Sequence, residues 1–156
     1  MRFEGKTAIV TAAGAGIGRA TADILVREGA TVVAVEIDQS RLDRMAAELA
    51  DCAGRVEGRC IDARDEVQVR DLVSEVESAY GGVDILVNAV GGSTIIGNPS
   101  ATVDALTFEE WQGLIEFNLN ATFLFCNAVA PGMKHAGSGK IVNLSSIAGR
   151  GLSGSS

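Results

Sequence analysis

The chain has 156 residues, a length typical of one domain, and its net charge at neutral pH is −7. Hydrophobic residues make up 47% and charged residues 21%, which favours a packed core and excludes an intrinsically disordered chain. Because nucleic acids and anionic lipids are negatively charged, this acidic composition disfavours both as partners. No signal-peptide core follows Met1, and no apolar run approaches the roughly 20 residues that span a bilayer.

The three cysteines are Cys52, Cys60 and Cys126, and they are widely spaced. No Cys-x-x-Cys occurs, and the single histidine, His135, has no cysteine near it, so the sequence predicts no metal site. Unpaired thiols are typical of a reducing compartment, and we therefore predict a cytoplasmic protein.

Short apolar runs alternate with segments of helical periodicity along the chain. Strands are predicted at residues 7–11, 31–35, 56–61, 84–88 and 140–144, the third of them at a sheet edge. The strand–helix alternation, with short connections, predicts an α/β fold. We expect a Rossmann-like, doubly wound parallel sheet of about five strands with helices on both faces.

The helices have recognisable starts and ends. In the first, Ile17, Ala20, Ile24 and Leu25 recur at helical spacing before Gly29. The predicted N-cap residues of the following helices are Ser40, Asp65 and Thr107. Ser40 has Asp43 as its predicted capping partner, and Thr107 begins another capping box. The helix that Thr107 opens is long, and it is predicted to end near Pro131 and Gly132.

A glycine-rich turn follows the first strand, with Gly14, Gly16 and Gly18 at the start of the first helix. Glycines allow the backbone to approach a pyrophosphate, whose charge the amides and dipole of a helix N-terminus stabilise. The spacing is not the usual Gly-x-Gly-x-x-Gly, and such turns also carry glycine for steric reasons alone. The turn is therefore weak evidence by itself.

Glu36 ends the second strand, 18 residues beyond Gly18. A carboxylate there can accept hydrogen bonds from the adenosine ribose, as in the dinucleotide-binding fingerprint, although a solvated charge at a strand end is the alternative. Glu36 would repel a 2′-phosphate, and neither Ala15 nor Ile37 supplies a cation. Together with the turn, Glu36 predicts a dinucleotide-binding domain over residues 1–156 that prefers NAD to NADP.

With these motifs the sequence resembles the classical short-chain dehydrogenase/reductase family over essentially its whole length. That family carries Thr-Gly-x-x-x-Gly-x-Gly after its first strand; here Ala12 replaces the first glycine, and we expect its methyl group to tighten the turn. The resemblance implies a set of cofactor-binding residues, namely Thr11, Gly14, Gly16, Ile17, Gly18, Glu36, Asp62, Asn88 and Gly91.

Two residues match catalytic positions of the family, Asn118 in Asn-Leu-Asn-Ala and Ser146 in Ser-Ser-Ile-Ala-Gly. The resemblance implies that Asn118 holds a water molecule in a proton relay. Ser146 would donate to a substrate carbonyl oxygen as charge develops on it. From the residues alone, Asn118 shares a predicted buried stripe with Trp111 and Leu114, and hydrogen bonds to neighbouring backbone are the alternative role of both candidates.

The family's catalytic tyrosine, with a lysine four residues later, is not among these residues. The single tyrosine is Tyr80, and Asp84 lies four residues after it. We expect the 156 residues to be the N-terminal portion of a longer enzyme, without the C-terminal strands and the substrate-covering segment. The strand at 140–144 would then form an uncovered edge.

The resulting prediction is an NAD-dependent oxidoreductase that interconverts a secondary alcohol and a carbonyl on a small molecule. By resemblance it is a homo-oligomer, either a dimer or a tetramer. A non-catalytic dinucleotide-binding module is the alternative. A methyltransferase on a similar sheet is less favoured, because it leaves the motifs at Asn88 and Ser146 unexplained. The sequence does not identify the substrate.

Overall fold

The computed structural model describes residues 1–147, in which β-strands alternate with helices. The strands of this part are β1 (Thr7–Thr11), β2 (Thr31–Glu36), β3 (Arg55–Cys60), β4 (Ile85–Asn88) and β5 (Lys140–Asn143). The helices are α1 (Gly16–Arg27), α2 (Gln39–Glu48), α3 (Glu66–Tyr80), α4 (Phe108–Ile115) and α5 (Ala121–Ala136). A π-helical turn, Glu116–Asn120, joins the last two helices. Each predicted strand is confirmed to within one residue at either end.

All neighbouring strands pair in parallel, in the order β3-β2-β1-β4-β5, so β3 lies at an edge as predicted. The chain builds outward from β1 to β3 and then returns to place β4 on the other side of β1. The loops after β1 and β4 therefore run in opposite directions and leave a crevice at the carboxyl ends of the strands. Parallel sheets of this type bind ligands at that position.

The core lies on both faces of the sheet because alternate residues of a strand point to opposite sides. Ala8 and Val10 belong to a buried cluster with α1 and α2, whereas Ile9 belongs to a second cluster with α3 and α5. Every residue of β1 is buried. The predicted Rossmann-like fold is confirmed.

The helix starts agree with two of the three predicted caps. Asp65 accepts hydrogen bonds from the amides of Val67 and Gln68, and Thr107 forms the predicted capping box with Glu110. The prediction for α2 was wrong, because the cap is Asp38, whose carboxylate accepts from the Ser40 amide at 2.9 Å. A carboxylate two residues upstream thus starts this helix earlier than the Ser40 pattern suggests.

The buried face of α1 also differs from the predicted stripe. Ile17, Ala20 and Ile24 are exposed, and the helix instead buries Gly18, Ala22, Leu25 and Val26. The close approach of Gly18 to the backbone of the β1–α1 turn decides this rotation, since a Cβ atom on Gly18 would lie 2.8 Å from the carbonyl oxygen of Thr11.

The last helix extends beyond the predicted end. Pro131 lies inside α5, which continues to Ala136 and ends at Gly137 in the left-handed conformation (φ 65°). Phe125 and Val129 of α5 are fully buried against the sheet, and this tertiary packing outweighs the helix-breaking tendency of proline. Gly132 is not a C-cap, because α5 continues past it. It lies where α5 meets the Glu77 side chain of α3.

Within residues 1–147, β5 pairs only with β4 and forms an edge of the sheet. Its two apolar side chains, Ile141 and Val142, are 40% and 51% exposed, as expected for an uncovered edge strand. None of the helices in this part of the chain combines the length and the apolar character needed to cross a membrane.

Candidate active site

A cavity of about 400 Å³ lies at the carboxyl ends of the strands, in the crevice between the β1 and β4 loops. Most of the predicted cofactor-binding residues line it, namely Gly16, Ile17, Gly18, Glu36, Asp62 and Gly91. Side chains that the sequence analysis did not select complete its wall, among them Ile37, Arg41, Ile61, Arg64, Phe117 and Leu144. Residues that follow all five strands therefore converge on one cavity.

The β1–α1 turn exposes backbone to this cavity. Ala12 adopts φ 50° and Gly16 adopts φ 56°, and a Cβ atom on Gly16 would meet no atom within 4 Å. The N-cap of α1 is Ala15, which makes no side-chain capping bond, and the first turn of α1 holds no acidic residue. The uncapped amides and the positive end of the helix dipole therefore suit an anionic group such as a pyrophosphate.

Glu36 is 7% exposed and forms the wall of the cavity at the end of β2. Its Oε2 accepts a hydrogen bond from the Gly14 amide at 3.0 Å, and its Oε1 accepts from the Ile37 amide at 2.9 Å. A Cβ atom on Gly14 would lie 2.6 Å from Oε2, so the absence of a side chain at this position lets the turn and the carboxylate meet. Both backbone contacts fix the carboxylate, which retains lone pairs for ribose hydroxyls.

The structure adds a cation beside this carboxylate. Arg41, in the first turn of α2, places Nη1 3.9 Å from Glu36 Oε2 and Nε 3.3 Å from Asp38 Oδ2. The sequence predicts no cation at this place, because neither Ala15 nor Ile37 is basic. Arg41 lies five residues beyond the end of β2, and its approach to Glu36 depends on where α2 packs.

Asp62 also lines the cavity, but the side chain of Arg64 pairs with it. Arg64 Nη2 is 2.6 Å from Asp62 Oδ2, and Arg64 Nε is 2.9 Å from Asp62 Oδ1. These hydrogen bonds hold the pKa of the Asp62 carboxyl below its ordinary value. The carboxylate is thus ionised and oriented, and a ligand that contacts it would do so beside the guanidinium.

Thr11 and Asn88 lie beneath the cavity and do not line it. Thr11 Oγ1 accepts hydrogen bonds from the amides of Ala89 and Val90 at 2.9 and 3.3 Å, which ties the end of β1 to the end of β4. Asn88 is 2% exposed and donates to Asn143 Oδ1 at 2.8 Å, which ties β4 to β5. Both residues therefore fix the positions of the loops that form the cavity.

Asn118 lies in the π turn and is exposed, so its predicted place on a buried stripe was wrong. Trp111 is 47% exposed, and α4 contributes no buried side chain, because its apolar stripe faces outward from the described part of the chain. The Asn118 amide nevertheless has partners: Oδ1 accepts from the Gly92 amide at 2.7 Å, and Nδ2 donates to the carbonyl oxygens of Gly92 and Leu114 at 2.9 Å. Asn118 thereby holds the loop that carries Gly91 into the cavity.

Ser146 is exposed and follows β5, so it lies at the carboxyl ends of the strands, as the cavity does. Neither Ser146 nor Asn118 is among the residues that line the cavity. Tyr80 is remote from it, since its hydroxyl donates to Glu57 of β3. This hydrogen bond raises the pKa of Tyr80, whereas a tyrosine that acts as a base requires a lowered pKa.

The cavity fits an adenine dinucleotide on three features of the chain itself. The α1 amides suit a pyrophosphate, and the Glu36 carboxylate suits ribose hydroxyls. Glycines at 14 and 18 let the turn pack against Glu36 and the end of β1, where a Cβ atom would clash with them. The amide and hydroxyl side chains of Asn118 and Ser146 belong to the same end of the sheet.

Comparison with known proteins gives a consistent result. The family model described as short chain dehydrogenase matches residues 6–155. The 3-oxoacyl-[acyl-carrier-protein] reductase FabG of Thermotoga maritima is 36% identical over 153 residues, which are 96% of this chain and 58% of that protein. The D-threitol dehydrogenase of Mycolicibacterium smegmatis is 35% identical, over 94% of this chain and 55% of that protein.

A solved structure is equally similar. The crystal structure of a metagenomic short-chain oxidoreductase in complex with NADP superposes with a TM-score of 0.86 at 34% identity, over 96% of this chain and 66% of that one. The chain thus spans little more than half the length of the two curated relatives and two thirds of this structure. On its sequence and its fold, the chain belongs to the short-chain dehydrogenase family of oxidoreductases.

Proposed function

We propose that the protein interconverts a secondary alcohol and a carbonyl on a small molecule, with NAD(H) preferred as cofactor. The observation that carries this proposal is the buried Glu36 carboxylate at the wall of the cavity, fixed by the Gly14 and Ile37 amides. A carboxylate at this place favours a ribose with two free hydroxyls over one with a 2′-phosphate.

The cofactor, when bound, supplies the hydride acceptor or donor. The residues of this chain would hold and orient it: the α1 amides at Gly16, Ile17 and Gly18 at the pyrophosphate, Glu36 at the ribose and Asp62 at the adenine. These groups are held in position from outside the cavity lining by Thr11, Asn88 and Gly14. Gly91 forms the wall beneath the π turn.

Two side chains are proposed to act on the substrate side. The Ser146 hydroxyl would donate a hydrogen bond to the substrate oxygen, which stabilises the negative charge that develops there. The Asn118 side chain makes three hydrogen bonds to Gly92 and Leu114 and retains one lone pair on Oδ1, at which it would hold a relay water. It would also act through the loop and turn that it holds.

The names of the relatives differ in their substrates, so we propose a reaction type and no individual substrate. Because the family's tyrosine and lysine are not among these 156 residues, the test uses the full-length protein. A panel of secondary alcohols with NAD⁺ should produce NADH absorbance at 340 nm. If NAD⁺ binds while no alcohol or ketone is turned over, the proposal of catalysis fails.

We further propose a homo-oligomer in the cytoplasm. Exposed apolar side chains cluster on the helices after the β4 loop, namely Phe108, Trp111, Leu119 and Phe123, and such side chains favour burial in an interface. Cys52, Cys60 and Cys126 carry free thiols, which suits a reducing compartment. Light scattering after size-exclusion chromatography would return a mass of two or four subunits, and a monomer at micromolar concentration would refute the oligomer.

A further inference from the structure

We propose that Asn143 and Cys126 are positioning residues, which fix the end of β5 and thereby the place of Ser146. They act through a group of three polar side chains at the ends of β4 and β5, those of Asn88, Cys126 and Asn143, which we call the strand-end cluster. The inference rests on the proposed function, because it requires that Ser146 act on the substrate.

The first support is the connectivity of the strand-end cluster. Asn88 and Asn143 are paired neighbours at the ends of β4 and β5. The Asn88 amide group donates to Asn143 Oδ1 at 2.8 Å and to Cys126 Sγ at 3.4 Å. The Cys126 thiol in turn donates to Asn143 Oδ1 at 3.6 Å. Because Cys126 belongs to α5, the cluster joins two strands and a helix at one point.

The second support is the hydrogen-bond inventory of the strand-end cluster. The Asn88 amide group uses both of its N–H donors, and the two bonds to Asn143 Oδ1 use both lone pairs of that oxygen. Within residues 1–147, Asn88 Oδ1 is buried without a hydrogen-bond partner. Since a buried acceptor without a donor lowers stability, packing alone does not account for an amide at this position. What the Asn88 amide provides is a fixed orientation of Asn143.

The third support is the short path from the strand-end cluster to Ser146. Asn143 is the last residue of β5, and the Leu144 amide donates to the Asn88 carbonyl oxygen at 3.0 Å. The Leu144 side chain packs on the other face of the sheet, against the apolar core that includes α1 and α2. The chain is therefore held from both faces of the sheet just before it reaches Ser146.

The position of Ser146 matters because a hydrogen bond to developing charge depends steeply on geometry. A displacement of about 1 Å can reduce a catalytic rate about 100-fold. Neither Asn143 nor Cys126 lines the cavity that is proposed to bind the cofactor. Loosening the strand-end cluster should therefore lower kcat and leave the binding of NADH nearly unchanged.

The test uses two pairs of variants in the full-length protein. Asn143→Ala removes the acceptor, whereas Asn143→Asp keeps a carboxyl oxygen in its place; Cys126→Ala and Cys126→Ser form the second pair. Cys52→Ala is the control, because Cys52 is also half-buried but packs on the opposite face of the sheet. Turnover of a secondary alcohol at saturating substrate and NAD⁺ gives kcat. Calorimetry with NADH gives the dissociation constant and counts the binding sites, so kcat is expressed per folded site.

The expected result is a separation of turnover from cofactor binding. Asn143→Ala should lower kcat per site about tenfold or more, with the NADH dissociation constant changed less than about threefold. Cys126→Ala should lower kcat about threefold, because a thiol is a weak hydrogen-bond partner. Asn143→Asp and Cys126→Ser should recover most of each loss, and Cys52→Ala should match the wild type. A purely structural role would reduce the number of binding sites and leave kcat per site unchanged.

Several outcomes would overturn the inference. Unchanged kcat per site in Asn143→Ala, while Ser146→Ala abolishes turnover, would refute the inference alone and leave the proposed function intact. NADH binding that weakens as much as kcat falls, or a Cys126→Ser variant as slow as Cys126→Ala, would also refute it. Turnover that survives Ser146→Ala would refute the proposed role of Ser146 and the inference with it. Full-length protein that turns over no alcohol or ketone would refute the proposed function and the inference together.

Discussion

Ala12 is the one residue other than glycine with a positive φ among those that the structure describes, and replacing it with glycine should stabilise the protein. At φ 50° its Cβ atom crowds the backbone, at a cost of roughly 1–2 kcal/mol for a residue other than glycine. Glycine removes this strain but adds conformational freedom to the unfolded chain, which costs about 0.4–1 kcal/mol. The net expectation is a gain of about 0.8 kcal/mol, or about 2–3 °C in melting temperature for a chain of this size.

The neighbouring Ala13 provides a matched control, because it is fully buried and has no positive φ. Ala13→Gly should lose about 1–2 kcal/mol, since it removes a buried methyl group and also loosens the unfolded chain. Urea unfolding followed by circular dichroism measures both variants. If Ala12→Gly is destabilised to the same degree as Ala13→Gly, the strain assigned to Ala12 does not exist.

Three further outcomes follow from the site. Gly18→Ala places a methyl group against the backbone of Thr11 and Ala12 and should weaken NAD⁺ binding at least tenfold in a calorimetric titration, whereas Gly113→Ala, at an open helical position, should not. Arg64→Gln should lower stability by up to about 1 kcal/mol at pH 7, because the ion pair is partly exposed. The pKa of the Asp62 carboxyl is lowered in the folded state, chiefly by its hydrogen bonds to Arg64. The stability difference is therefore present above the ordinary pKa near 3.9 and is lost as the pH falls below it; a difference that stays constant through acid pH would contradict it. Ser146→Ala should abolish turnover in the full-length enzyme while NAD⁺ binding is retained, and unchanged turnover would remove Ser146 from the mechanism.

The alternation of strands and helices could be predicted from sequence because buried parallel strands are apolar throughout and short. β1 and β2 illustrate this, since each is buried along nearly its whole length. The position of Glu36 at the cavity could be predicted for a related reason. A side chain at the end of a parallel strand has its position fixed by that strand. The cavity is built largely from such strand ends, and most of the predicted cofactor-binding residues line it.

Features that depend on tertiary packing could not be predicted in this way. The π turn at Glu116–Asn120 cannot be recognised from the apolar periodicity. That periodicity predicts a buried position for Asn118, whereas Asn118 is exposed in the structure. Arg41 reaches Glu36 only because α2 packs beside the Gly14 turn. Pro131 continues α5 because the burial of Phe125 and Val129 stabilises the helix around it.

Titration of the protein with NADH by calorimetry tests the central claim most directly, with Glu36→Ala as the informative variant and Glu109→Ala, on exposed α4, as its control. The wild type should give saturable heat. Loss of the Glu36 carboxylate should weaken binding about tenfold or more, since hydrogen bonds to charged groups contribute about 1.5–3 kcal/mol. Glu109→Ala should bind as the wild type does. Folded wild-type protein that gives no heat with NADH, or Glu36→Ala that binds NADH as tightly as the wild type, would contradict the account.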